Sequence, residues 1–193
     1  MGNYKFIYDT ETSGLPFKQR GYKYDYKNLE HFDSARLLSI SWLLLDEKNE
    51  IVEKNTYFIK PDNFNISEES IKIHKLSKEF LNNNGCDIHQ MFLHLNGLFE
   101  KYNITRLIGH NINFDINILM SELFRYNYSF TLEKISKVEL YCTMFGAQTK
   151  MGVRKWPKLT EAYKYFYGDD ITNAHDAEFD TLYCYKVYLK LIE

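Results

Sequence analysis

Apolar residues along this chain fall into two rhythms. In YKFIYD (4–9), LLSISWLLLD (37–46) and IVEKNTYFIK (51–60) they crowd into short runs rich in β-branched and aromatic side chains, which predicts three strands. The last two are joined by a polar turn at 47–50. RLIGHN (106–111) and KVELYCT (137–143) predict two more. Elsewhere the spacing shifts to three and four. Met91, Leu95, Leu98 and Tyr102 recur at helical intervals, as do Ile116, Leu119, Met120 and Leu123, and finally Leu182, Tyr185, Leu189 and Ile192. Ser67 ahead of Glu68 and Glu69 reads as a helix start, and KLTEAYKYFYG (158–168) as a helix closed by Gly168. Strands first, then helices interleaved with strands, predict an α/β fold with one mixed five-stranded sheet flanked by helices.

Composition narrows this to a single domain over residues 1–193, with 45% hydrophobic and 17% aromatic residues to fill its core. Three cysteines without C-x-x-C spacing (Cys86, Cys142, Cys184) read as buried thiols in a reducing compartment, neither disulfides nor a zinc site. The opening MGNYKFIYDT holds no long apolar run, so neither a signal peptide nor a membrane span is expected. The expectation is an intracellular, cytoplasmic or nuclear protein with no membrane partner. A net charge of −2 argues against a general nucleic-acid coat protein but leaves room for an enzyme touching a few phosphates.

The chemistry begins in FIYDTETSGLP (6–16). On an extended strand Asp9 and Glu11 point to one face, where two like charges repel unless something positive lies between them. Asp115 falls in the first turn of a helix after a strand and turn, His175 in a loop, and Asp180 in the first turns of the last helix. Each has an ordinary explanation: a solvated strand end, a helix dipole complemented by an acid, or an N-cap region. Together they all occupy strand ends or helix starts, where α/β domains gather their ligands. Four carboxylates with one histidine and no cysteine suit Mg²⁺ or Mn²⁺. Two ions about 4 Å apart can hold both the attacking and leaving oxygens of a phosphodiester displacement. His175 is then suited to take the proton of the attacking water.

YDTETSGL, HNINFD and HDAEFD resemble, in order, the three motifs of the DEDDh (DnaQ-like) 3′→5′ exonucleases, which share a ribonuclease-H-like fold. That resemblance implies Asp9, Glu11, Asp115 and Asp180 as ligands for two Mg²⁺ or Mn²⁺ ions, and His175 as general base. It implies that Thr12, Ser13, Gly14 and Leu15 meet the terminal nucleotide, with Leu15 and Phe114 against its base and sugar and Asn111 part of the second motif. SIKIHKLS (70–77) departs from the family pattern, since Lys75 replaces a usual glycine. A second departure is a probable insertion at 16–33 carrying RGYKYDYK, whose tyrosines and cations read either as a stacking row for a nucleic-acid strand or as residues packed on the domain. MGVRKWPK (151–158) reads as surface charge or as a phosphate track.

The function expected is metal-dependent hydrolysis of nucleic acid, DNA before RNA, from the 3′ end to nucleoside 5′-monophosphates, as in proofreading or repair. The partners expected are a single-stranded or 3′-frayed nucleic acid and a polymerase or repair complex. Two other classes compete. His175 and Asp176 could pair as in HD-type metal phosphohydrolases, using upstream histidines, or the fold could serve as a catalytically silent nucleic-acid-binding module.

Overall fold

Side-chain alternation in the first strand sorts the interior into two faces. In β1 (Asn3–Thr12) Phe6 and Tyr8 enter one core while Ile7 enters another, all three fully buried. The computed structural model describes residues 2–17, 24–172 and 174–193. β2 (Leu37–Leu45) is buried at every position because both of its faces are covered, and β3 (Ile51–Phe58) is the more exposed edge. β4 (Asn103–Gly109) and β5 (Glu139–Cys142) complete one sheet in the order β3-β2-β1-β4-β5. β1 and β2 pair antiparallel, as do β2 and β3, whereas β1, β4 and β5 run parallel. The C-terminal ends of these three parallel strands therefore share one sheet edge.

Eight described helices cover the sheet: α1 (Glu68–His74), α2 (Lys78–Asn84), α3 (Ile88–Lys101), α4 (Ile112–Arg125), α5 (Ser129–Ile135), α6 (Thr143–Met151), α7 (Leu159–Tyr167) and α8 (Ala177–Ile192). Apolar residues of α3, α4 and α5 meet Phe6, Tyr8, Trp42 and Leu44 on one face. On the other, Cys184 and Tyr188 of α8 meet Ile7, Leu43 and Ile108, and α6 and α7 pack against α8. Leu76 and Leu81, from α1–α2, cover Leu38.

The mixed five-stranded sheet and the long helices match the pattern in the sequence. β1 runs three residues beyond the apolar stretch, so Glu11 and Thr12 still belong to the ladder. α2, α5 and α6 carry too few apolar positions in their two turns to register as helical periodicity. In the segment 16–33, Tyr24 packs 6.1 Å from Phe32 and Tyr26 lies edge-on to Phe124. These two tyrosines are partly buried against the core, which is the packing alternative for this segment. Tyr22, Lys18, Arg20 and Lys23 lie outside the described residues.

Candidate active site

Two serines make room for the acids. In the β1–β2 ladder Asp9 stands opposite Ser41 and Glu11 opposite Ser39, so small side chains occupy the face where α8 descends. The N-terminus of α8 is capped by Asp176, whose carboxylate accepts the Glu178 N–H at 2.9 Å. Thr181 Oγ1 donates to the Ser41 carbonyl at 3.2 Å, which seats the first turn of the helix on the sheet. Asp180, one residue earlier, then meets the strand acids: Asp9, Glu11 and Asp180 each present a carboxylate oxygen within 4.8 Å of the others. Burial, then repulsion from neighbouring acids, raises the Asp9 carboxyl well above the usual range and pushes Glu11 up to about 9. Burial raises Asp180 as well, though less, because the His175 N–H donates to its Oδ2 at 3.0 Å. Among the described residues none of the three is in an ion pair with a lysine or arginine. An all-oxygen, desolvated, uncompensated set of this kind fits a hard divalent cation.

Asp115 stands apart from that triad. Its Oδ1 accepts from both the backbone N–H (3.1 Å) and the hydroxyl (2.6 Å) of Thr10, whose side chain points to the sheet face opposite the one Asp9 and Glu11 use. These bonds partly offset burial, and the carboxyl rises only to about 7. Its charge still reaches the triad, where it is the largest coulombic influence on Asp9. Of the four carboxylates expected at one point, three converge and the fourth is anchored beside them. Asn111 precedes α4 with φ 68° and ψ 43°, a left-handed conformation that asparagine tolerates better than most residues.

A cleft of about 550 Å³ opens beside Glu11. Thr12, Gly14, Leu15, Ile73, Phe114 and His175 are among its walls. Leu15 is 74% exposed and Ile73 53%, an apolar lip facing solvent. Gly14 is dictated by space, because a Cβ there would lie 2.5 Å from the Ser34 carbonyl oxygen. Ser13 is buried rather than presented to the cleft: its N–H donates to the Arg36 carbonyl and its carbonyl accepts from Ser67 N–H. His175 is exposed at φ 67°, beside the triad and on the cleft wall.

Several supporting residues carry no motif. Leu76 N–H donates to His74 Nδ1 at 3.0 Å, which leaves the proton on Nε2, 3.2 Å from the Thr12 carbonyl. Buried His74 thereby ties the end of β1 to α1, and burial keeps its pKa low and the ring neutral. Lys75, in place of the family's glycine, follows at φ 64°. Arg36 and Glu122 form a buried ion pair at 2.6 Å, and Glu122 also accepts Leu37 N–H, fixing the start of β2 beside Ser13. The upstream histidines needed for an HD-type centre are engaged elsewhere. His89 bonds Tyr128, His94 bonds Tyr57 and Glu53, and His110 bonds Thr143 and the Pro157 carbonyl. Among the described residues, the one group able to hold a metal contains no histidine.

No helix among the described residues is long and apolar enough to cross a membrane. No curated protein sequence matches the chain significantly. Among solved structures, E. coli Exonuclease I in complex with a dT13 oligonucleotide shares the fold with a TM-score of 0.73 at 15% identity, over 98% of this chain and 40% of that one. Exonuclease I from Methylocaldum szegediense gives 0.71 at 19% identity, with the same two coverages. The chain thus spans about two fifths of the length of these proteins, and its single sheet-and-helix body is that of the ribonuclease-H-like exonucleases. A family model described as Exonuclease (RNase_T) matches residues 6–188, from the strand that carries Asp9 to the helix that carries Asp180, and the chain belongs to that exonuclease family.

Proposed function

We propose that this protein hydrolyses single-stranded nucleic acid, DNA in preference to RNA, from the 3′ end and releases nucleoside 5′-monophosphates. The observation that carries the reading is the carboxylate triad at the edge of an apolar-lipped cleft wide enough for a nucleotide. Asp9, Glu11 and Asp180 are the residues that would hold Mg²⁺ or Mn²⁺, two ions in all, with Asp115 completing the acidic set. Bound there, divalent cations supply charge compensation and Lewis-acid stabilisation of phosphodiester oxygens. Leu15, Ile73 and Phe114 grip the terminal base and sugar through apolar contact, and the Thr12–Gly14 turn sets their distance from the acids. Asn111, just before α4, would contact the terminal nucleotide from the start of the helix that carries Phe114 and Asp115. His175 accepts the proton of the attacking water, a task suited to imidazole near neutral pH. DNA is favoured because Exonuclease I, similar in fold, is seen with dT13.

Gel analysis of a 5′-labelled single strand, as DNA and as RNA of the same sequence, tests the polarity and the sugar. The expected result is a ladder shortening one nucleotide at a time from the 3′ end, faster for DNA. Immediate release of the labelled 5′ nucleotide, or internal cuts, would overturn it.

A further inference from the structure

The stretch 140–160 contains no aspartate or glutamate and four cations, Lys150, Arg154, Lys155 and Lys158, in a chain whose net charge is −2. It folds as the end of β5, α6, the turn after it and the start of α7, and it exposes two large aromatics. Trp156 is 65% exposed and Phe145 50%, with ring centroids 5.9 Å apart at 64°. Lys155 is paired with Glu161, but Lys150, Arg154 and Lys158 make no ion pair with any described residue.

The segment is held in place. Gly152 reverses the chain at φ 66°, Gln148 Nε2 donates to the Arg154 carbonyl at 2.8 Å, and His110 Nε2 donates to the Pro157 carbonyl at 2.9 Å. His110 also fixes its position on the sheet. In the parallel β1–β4 pair Ile7 faces Ile108, and His110 directly follows the end of β4, so the patch is anchored where β4 ends beside the strand that carries Asp9 and Glu11. The patch is thus attached on the β4–β5 side of β1, whereas the cleft walls include Ile73 and His74 of α1. A strand whose last nucleotide enters the cleft must continue past the acids over neighbouring surface, and this basic, aromatic surface is anchored at the end of the adjacent strand β4.

We propose that Phe145 and Trp156, flanked by Lys150, Arg154 and Lys158, bind the body of a single-stranded nucleic acid behind its terminal nucleotide. The inference rests on the exonuclease reading above. Exposed rings accept bases of any sequence by stacking, and unpaired cations beside them neutralise neighbouring phosphates, so the surface is indifferent to sequence and sensitive to salt.

The test is equilibrium binding in EDTA of a fluorescent long single strand to the whole chain, together with Mn²⁺-supported hydrolysis of a dinucleotide. Wild type is compared with Phe145→Ala/Trp156→Ala and with Arg154→Gln/Lys158→Gln. The aromatic variant is expected to bind the long strand at least tenfold more weakly. The charge variant should show a shallower dependence of affinity on salt, by a slope of about 1 to 2. Both should cleave the dinucleotide at the wild-type rate and melt at the wild-type temperature. Unchanged affinity and salt slope in both variants would overturn the proposal while leaving the nuclease reading intact, as would equal losses on the dinucleotide or a lowered melting temperature. A wild-type protein that neither binds the strand nor cleaves the dinucleotide would instead overturn the nuclease reading itself.

Discussion

His175 and Lys75 both hold left-handed backbone conformations that side chains with a Cβ seldom adopt, and the two have different reasons. His175 is turned so that its own N–H reaches Asp180, which leaves the imidazole at the cleft wall without joining the acidic cluster. His175→Ala should therefore lower the hydrolytic rate by about 10²- to 10⁴-fold. Mn²⁺ affinity, read by calorimetric titration, should stay within a small factor of wild type, and its loss in this variant would make His175 a ligand instead. Lys75 merely ends α1, its N–H bonding the Ile71 carbonyl. Relieving the left-handed strain of about 1–2 kcal/mol per residue outweighs the added chain entropy of glycine. Lys75→Gly should thus stabilise the protein by about 0.5–1 kcal/mol, which thermal melts would register as a rise of a few degrees. A lower melting temperature would mean that the lysine side chain contributes more than its backbone costs.

The start of β2 depends on a buried ion pair that reaches across from α4. Glu122 is 1% exposed, and it satisfies the Arg36 guanidinium and the Leu37 N–H at once. Glu122→Ala would leave the arginine charge buried without its carboxylate, at a cost of about 3–5 kcal/mol. Chemical denaturation should show that loss as a lowered midpoint, and an unchanged midpoint would mean water replaces the pair. Such contacts explain what the sequence did and did not disclose. The strands and longer helices were legible from their periodicity, and the acids and His175 from short motifs whose members lie within a few residues of one another. Thr10, His74 and Arg36 were not, because their partners lie 105, 62 and 86 residues away, and no local pattern marks them. The role of Ser39 and Ser41 follows only from the register, which sets them opposite Glu11 and Asp9.

For the molecule as a whole, the acidic triad ties stability to pH and, on the proposed reading, to metal. With its folded carboxyl pushed up to about 9 from an ordinary 4.5, Glu11 keeps a proton in the metal-free fold that the unfolded chain releases. The stability this contributes is fully present below about 4.5 and is lost as pH rises through about 9. Melting temperatures in EDTA should fall across that window, Mn²⁺ should restore them most at its alkaline end, and Glu11→Gln should flatten the profile. A level profile for the metal-free wild type would remove the electrostatic basis of the site. The central claim is tested most directly by one assay. Mononucleotide release from a single strand is measured after stripping the protein with EDTA and then titrating Mn²⁺, for wild type and for Asp9→Asn. The account predicts no release in EDTA, full recovery with Mn²⁺ in the wild type, and none in an Asp9→Asn protein that still melts cooperatively. Release that persists in EDTA, or an Asp9→Asn variant as fast as wild type, would contradict it.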